Sequence, residues 1–248
     1  MNPPLIIIMA AGLGKRMNSD LPKVLHCING VPMIVRIIRE ASLLSPIRIL
    51  VVVGKYRDII ESTIRDFIPE SKNIDYIIQD PALGTGHAIK CCIPRIMFYQ
   101  DFYINIDVLI LSGDVPLIRA NTMHNMLYDL GKARIMTTTL ENATGYGRVI
   151  QTAKGGFHKI VEEKDCSDEE RLCRKVNAGI YAFDSYTLCE YLPRITNNNA
   201  QNEYYLTDIV ELIHQKEDVQ VFDISAEQQH EILGINTPEQ LEHLSSLL

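Results

Sequence analysis

Short apolar runs alternate along the chain with polar segments rich in glycine, and the runs differ in kind. Leu5-Ile6-Ile7-Ile8-Met9 is branched and lacks polar alternation, the pattern of a central strand buried on both faces. Residues 47–53, 74–78 and 106–111 read as further strands of the same layer. Between them, residues 33–44, 58–67 and 88–97 carry apolar positions at helical spacing and predict helices. This β-loop-α alternation predicts an α/β fold, a mostly parallel central sheet with helices on both faces.

After residue 118 the pattern changes. Residues 135–140, 148–151, 156–162 and 176–183 read as strands, with Thr144-Gly145-Tyr146-Gly147 as a turn. Residues 203–214 read as a helix, 219–223 as a late strand and 238–248 as a closing helix. The second half is thus a smaller, β-rich part. No internal repeat, low-complexity tract or linker divides the chain, so 1–248 reads as one domain.

Composition narrows the function classes. Hydrophobic residues make up 46% of the 248, enough for a sizeable core. The net charge of −7 argues against a general nucleic-acid or anionic-membrane binder, although an anionic small substrate needs only a local cluster of cations. Six cysteines include the adjacent pair Cys91-Cys92 but no C-x-x-C, so zinc is disfavoured and buried thiols in a reducing compartment are expected. The N-terminal apolar run is too short to span a membrane and lacks a basic leader and a cleavage site. A cytoplasmic protein is the expectation.

In parallel sheets ligands sit outside the carboxyl ends of the strands, and three glycine-bearing segments follow strands here. The first is Ala10-Ala11-Gly12-Leu13-Gly14, with Lys15, Arg16 and Lys23 just beyond it. Small residues let backbone N–H groups approach a ligand closely, and three cations make the turn a phosphate site; the alternative is an ordinary strand-to-loop turn with solvated cations. The two common phosphate loops fit badly: a P-loop would need Gly at position 9 and Ser or Thr at 16, where Met9 and Arg16 stand, and the dinucleotide fingerprint would need Gly where Met17 stands. The second segment joins Gln79 to Gly84-Thr85-Gly86, where a planar amide beside small residues can read a base edge. His87, next in the chain, reads as a cap or packing residue and is assigned no chemistry. The third is Gly113-Asp114-Val115-Pro116. Asp114 there suits a magnesium ion bridging phosphates, or else a turn in which it bonds its own backbone. Asn236, before Thr237-Pro238-Glu239, reads as a helix cap or as a neutral second ligand for the ion. Asn177 sits among apolar residues, where its amide must find partners. Glu163-Lys164-Asp165 reads as a solvated face.

The first segment resembles the signature of sugar-nucleotide pyrophosphorylases, L-A-A-G-x-G-[TS]-R-M…P-K, departing from it at Met9 and Lys15. Further blocks extend the resemblance over essentially the whole chain: Ser19-Asp20-Leu21-Pro22-Lys23-Val24-Leu25-His26, Leu83-Gly84-Thr85-Gly86-His87-Ala88, Gly113-Asp114-Val115-Pro116-Leu117-Ile118, Thr144-Gly145-Tyr146-Gly147-Arg148 and residues 197–208. Together they resemble the uridylyltransferase domain of bacterial N-acetylglucosamine-1-phosphate uridyltransferases.

That resemblance implies a Rossmann-like nucleotidyltransferase fold with a nucleotide-binding half at about 1–118 and a sugar-binding half at about 119–236. It implies transfer of UMP from UTP to N-acetylglucosamine 1-phosphate with Mg2+ as cofactor. By resemblance Arg16 and Lys23 are catalytic and hold phosphates. Ala10, Ala11, Gly12, Gly14, Lys23, Gln79, Gly84, Thr85 and Gly113 bind the nucleotide. Asp114 and Asn236 bind the metal, and Gly147, Glu162, Asn177, Tyr205 and Thr207 bind the sugar. Ser112, where Tyr is common, and Pro81-Ala82, in place of a polar pair, are departures that bear on nucleotide affinity. No hexapeptide repeat follows, so the left-handed β-helix acetyltransferase domain of bifunctional members, and its trimer, are not expected. Two alternatives stay open: a nucleotidyltransferase pairing UTP or dTTP with glucose 1-phosphate, and a non-catalytic nucleotide-sugar sensor. The joint presence of Arg16, Lys23, Asp114 and Asn236 argues against the sensor.

Overall fold

A computed structural model describes residues 2–12, 14–70, 72–152 and 155–246, without the side chain of Lys15. The Leu13 position of the first turn, the Lys15 cation and the last two residues of the closing helix therefore lie outside the described residues. In chain order, β1 (Leu5–Met9) leads to a short hairpin, β2 (Cys27–Ile28) with β3 (Val31–Pro32), and then to α1 (Met33–Ser42), β4 (Arg48–Val53), α2 (Arg57–Phe67) and β5 (Ile74–Ile78). There follow α3 (Thr85–Lys90), α4 (Ile93–Gln100), β6 (Asp107–Ser112), α5 (Ala120–Leu127), β7 (Ala133–Thr139), β8 (Arg148–Gln151) and β9 (Phe157–Val161). The chain closes with α6 (Asp168–Arg171), β10 (Lys175–Asp184), α7 (Ser185–Tyr191), α8 (Thr207–His214), β11 (Val219–Asp223) and α9 (Pro238–Ser245).

The main sheet runs β11-β7-β10-β6-β1-β4-β5. The expected parallel layer is present: β1 pairs in parallel with both β4 and β6, and β4 with β5. Alternation across β1 builds the two faces. Leu5 and Ile7 enter one core with Ala88, Ile89 and Ile209, while Ile6 and Ile8 enter the other with Ile34, Ile37 and Ile38. All four β1 side chains are fully buried, each contributing roughly 2 kcal/mol of transfer free energy.

The β-rich second half is continuous with this sheet. β10 is antiparallel to β6 along Tyr181–Asp184 and to β7, and its first residues pair with β8, which carries β9. Asn177 opposes Thr137 and Tyr181 opposes Ile135, so three residues of β10 face one of β7. This bulge re-aims Asn177 at the point where β10 exchanges β8 for β6 as its neighbour.

Two of the predicted helices differ from the sequence reading. The helix predicted over 88–97 is two helices, broken after Lys90, and Pro94 lies in the first turn of the second. The helix predicted over 203–214 starts only at Thr207. Residues 203–206 instead lie along the Leu83–Gly86 loop: Tyr204 N–H donates to Leu83 O at 2.8 Å, and Gly86 N–H to Tyr204 O at 2.7 Å. Helices α5, α6 and α7 were not expected.

Candidate active site

The turn after β1, Gln79 after β5 and the loop after β6 meet on one side of the sheet, as strand-end geometry requires. They line a cavity of about 480 Å³ with Ala10, Ala11, Gly12, Gly14, Lys23, Gln79, Gly84, Thr85, Ser112, Asp114 and Glu203. Two glycines are needed on steric grounds. Gly14 has φ 60°, and a Cβ there would lie 2.5 Å from that of Lys23; Gly84 has φ 103°, and a Cβ would lie 2.6 Å from Tyr204 O. Gly113 lies behind the wall rather than on it, its N–H donating to Met9 O at 2.9 Å.

At the mouth four polar side chains converge. Lys23 Nζ lies 2.5 Å from Asp114 Oδ2 and 3.0 Å from Asn236 Oδ1, and Arg16 Nη2 donates to the same Asn236 oxygen at 2.8 Å. Ser112 Oγ donates to Asp114 Oδ1 at 2.6 Å and so fixes the carboxylate plane. Burial alone would raise the Asp114 carboxyl, but the Lys23 charge and the hydrogen bonds from Lys23 and Ser112 outweigh it and hold the group below the usual carboxylate range. Asn236 reaches this cluster from far along the chain. Ile235 N–H donates to Asp114 O at 2.8 Å, and Asn236 N–H donates to Gln240 Oε1 at 2.7 Å within the capping box that starts α9. The cap and the ligand-type placement are thus compatible: Thr237 is the N-cap, and Asn236 precedes it.

A second polar cluster lies beside the first. Asn177 N–H donates to Gly147 O at 2.9 Å, so the β10 bulge and the Thr144–Gly147 turn touch. Asn177 Nδ2 donates to Tyr181 Oη at 2.6 Å, and its Oδ1 accepts from Gly179 N–H at 3.3 Å. Thr207 Oγ1 donates to Glu162 Oε1 at 3.0 Å. Burial, reinforced by Asp165 and Glu203 but opposed by that hydrogen bond, raises the Glu162 carboxyl. Tyr205 is 6% exposed; its hydroxyl lies 3.0 Å from Asp165 Oδ2 and accepts from Gln201 Nε2 at 2.9 Å. Residues 203–207 join the clusters, since Glu203 lines the cavity, Leu206 N–H donates to Thr85 Oγ1 at 3.0 Å, and Thr207 holds Glu162.

The profile of the MobA-like NTP transferase domain matches residues 6–175. A protein of Acanthamoeba polyphaga mimivirus, described as a probable UDP-N-acetylglucosamine pyrophosphorylase, is 42% identical over 98% of this chain and 95% of its own length. This chain belongs to the MobA-like NTP transferase family. Within that family the bifunctional protein GlmU of Nostoc is 41% identical over 96% of this chain, and that of Bordetella petrii 44% identical over 84%. The chain spans about half the length of these two bacterial relatives. The solved structure of a UDP-glucose pyrophosphorylase complexed with UDP-glucose shares the fold, with a TM-score of 0.75 over 99% of this chain and 98% of its own at 16% identity. The Rossmann-like nucleotidyltransferase fold expected from the sequence is therefore the fold of this family member.

The Thr144–Gly147 turn is held by an ion pair that no local sequence pattern announces. Arg148, 3% exposed, places Nη2 2.7 Å from Glu163 Oε2 and donates through Nη1 to Tyr146 O. Glu163 Oε2 also accepts Gly145 N–H at 3.2 Å. Glu163, read as part of a solvated face, is instead the counter-ion of a buried guanidinium, and no local pattern reveals a partner fifteen residues away. Removing one member of such a pair leaves a buried charge unpaired. Glu163→Gln is expected to cost about 3 kcal/mol of stability, read as a lowered thermal midpoint. An unchanged midpoint would show that the pair does not hold the turn.

Proposed function

We propose that this family member transfers UMP from UTP to N-acetylglucosamine 1-phosphate, releasing pyrophosphate. The observation that carries the reading is the cluster of Arg16, Lys23, Asp114 and Asn236 at the mouth of a glycine-walled cavity. A clamp of two cations and two hard oxygens suits a triphosphate, and a mere sensor of nucleotide sugars would not need it. The relative described as a UDP-N-acetylglucosamine pyrophosphorylase, matched along nearly its whole length, supports the choice of substrates.

The attacking oxygen of a sugar 1-phosphate is already an anion, so the chain need supply no general base. Its work is to hold the acceptor phosphate in line with the α-phosphorus and to neutralise charge as pyrophosphate departs. Gly12, Gly14 and their neighbours let the backbone approach the phosphates, while Arg16 and Lys23 offer guanidinium and ammonium donors. Ala10, Ala11, Gln79, Gly84 and Thr85 form the wall against which the base and ribose rest. Gly147, Glu162, Asn177 and Thr207 offer an amide, a carboxylate and a hydroxyl to the sugar, with Tyr205 behind them.

The donor set fits Mg2+. Asp114 Oδ2 and Asn236 Oδ1 already share one cation, Lys23 Nζ, and both are hard oxygens. Among the described residues no three His, Cys, Asp or Glu side chains converge as a metal cage, and Asp114 and Asn236 would hold the ion together with substrate and water oxygens. When bound, the ion would neutralise phosphate charge and polarise the phosphoryl oxygens. Among the described residues no helix is long and apolar enough to cross a membrane.

Pyrophosphate release with a panel of nucleoside triphosphates and sugar phosphates tests the reading. UTP with N-acetylglucosamine 1-phosphate is expected to give the highest kcat/KM. No release with any pair would restore the sensor, and a best pair of dTTP with glucose 1-phosphate would replace the substrates. A finer prediction concerns Asn177. A site whose buried polar groups expect a partner rejects the analogue lacking it. Asn177→Ala is expected to lower kcat/KM for N-acetylglucosamine 1-phosphate about tenfold, the scale of one lost hydrogen bond, while lowering that for glucose 1-phosphate less. Equal losses on both sugars would remove Asn177 from sugar discrimination.

A further inference from the structure

His87 has no part in the reaction scheme, yet it is paired with Gln79 of the cavity wall. Gln79 is 5% exposed and lies on the cavity wall. Its Nε2 donates to Gly84 O at 2.9 Å and lies 3.3 Å from His87 Nδ1. A carbonyl oxygen can only accept, so Gly84 O fixes which end of the amide is NH2. His87 Nδ1 must then be the acceptor for the second amide proton, and the ring carries its proton on Nε2. That nitrogen lies 4.0 Å from Cys91 Sγ, a weak acceptor just past the end of α3. The His87 ring also packs beside Tyr204, with centroids 6.3 Å apart, and Lys90 Nζ sits 4.1 Å above the same tyrosine ring.

Both amide protons are thus committed, and among the described residues Gln79 Oε1 accepts from nothing. We propose that His87 is a positioning residue for base selection: by accepting from Gln79 Nε2 it holds Oε1 toward the base, so the site favours a pyrimidine that presents an N3–H donor. Uracil presents that donor; cytosine presents a lone pair at the same atom, which a fixed acceptor repels. Without His87 the amide keeps one anchor and gains freedom to turn its NH2 toward the base. The inference rests on the uridylyl-transfer reading for its substrate but concerns nucleotide binding alone.

Binding of UTP and of CTP is therefore measured by calorimetry without any sugar phosphate, for the unmutated protein, His87→Ala and His87→Phe. The phenylalanine variant keeps a ring against Tyr204 and removes the acceptor, so it stands in if the alanine variant fails to fold. The unmutated protein is expected to prefer UTP, and either variant is expected to reduce that preference about tenfold, the scale of one lost hydrogen bond, through weaker UTP binding with CTP unchanged or improved. Parallel losses on both nucleotides, or an undiminished preference for UTP, would show that His87 only packs, and equal affinities in the unmutated protein would also overturn the proposal. A preserved UTP preference lost in the variants, together with no pyrophosphate release in the substrate panel, would keep the base-selection device while removing the transferase reading.

Discussion

Asp114→Ala is expected to lower kcat about a thousandfold, the loss of roughly 4 kcal/mol of transition-state stabilisation. The carboxylate contributes a full negative charge at the mouth, held by Lys23 at 2.5 Å and Ser112 at 2.6 Å. Its loss removes the charged ligand proposed for Mg2+ and frees Lys23 from its fixed position. The strand layer should survive, because Asp114 stands in the loop after β6 and belongs to none of the buried apolar clusters. Circular dichroism is expected to be unchanged while the rate collapses. A folded variant with near-normal magnesium-dependent turnover would remove Asp114 from the metal assignment. Asn236→Ala loses a neutral oxygen and is expected to fall less, by about tenfold.

Lys23→Ala and Arg16→Ala are expected to lower kcat by about a hundredfold each, as for other donors aimed at developing charge. Charge accumulates on the bridging oxygen as pyrophosphate leaves, so donors placed there act more strongly on the transition state than on bound UTP. Steady-state kinetics should show the loss mainly in kcat. A raised KM for UTP with unchanged kcat would mean that these cations only bind the ground-state phosphates. Lys23 carries a second consequence, since its removal leaves Asp114 without its ion pair and should weaken folding as well as catalysis.

The strand layer was legible because it is local in sequence. Leu5–Met9 and Arg48–Val53 are short, mostly apolar and branched runs without polar alternation, the pattern of a buried parallel strand. The convergence of Gly12, Gln79 and Asp114 followed from the same pattern, since each stands just beyond a strand end. What escaped depends on partners distant in the chain. Helix α5 holds Asn, Thr and His, poor helix formers, and its first turn is capped by side chains from elsewhere: Glu231 accepts from Arg119 N–H and Thr122 Oγ1, and Glu40 from Ala120 N–H. The extended path of residues 203–206 is dictated by the Leu83–Gly86 loop, which their own apolar spacing does not report. Two misses had a local signal. Ser167-Asp168-Glu169-Glu170 is a capping box that starts α6, and Asp184 caps α7 by accepting from Thr187 N–H at 3.0 Å.

The β10 bulge is the part of the site least visible in the sequence. Gly179, at φ 71°, hints at an irregular strand, but the displacement of three residues against one appears only once β7 is in place. The bulge brings Asn177 to Gly147 and so sets the proposed sugar side of the site against the proposed phosphate side. In the proposed reading the chemistry of transfer belongs to the first turn and Asp114, whereas the choice of sugar depends on this later, long-range geometry.

One competition measures that choice directly. The unmutated protein receives UTP, magnesium and equal concentrations of N-acetylglucosamine 1-phosphate and glucose 1-phosphate in one tube, and both sugar nucleotides are quantified at low conversion. A large excess of UDP-N-acetylglucosamine over UDP-glucose is the expected result. Comparable amounts of the two, or an excess of UDP-glucose, would contradict the substrate assignment while leaving the nucleotidyltransfer intact.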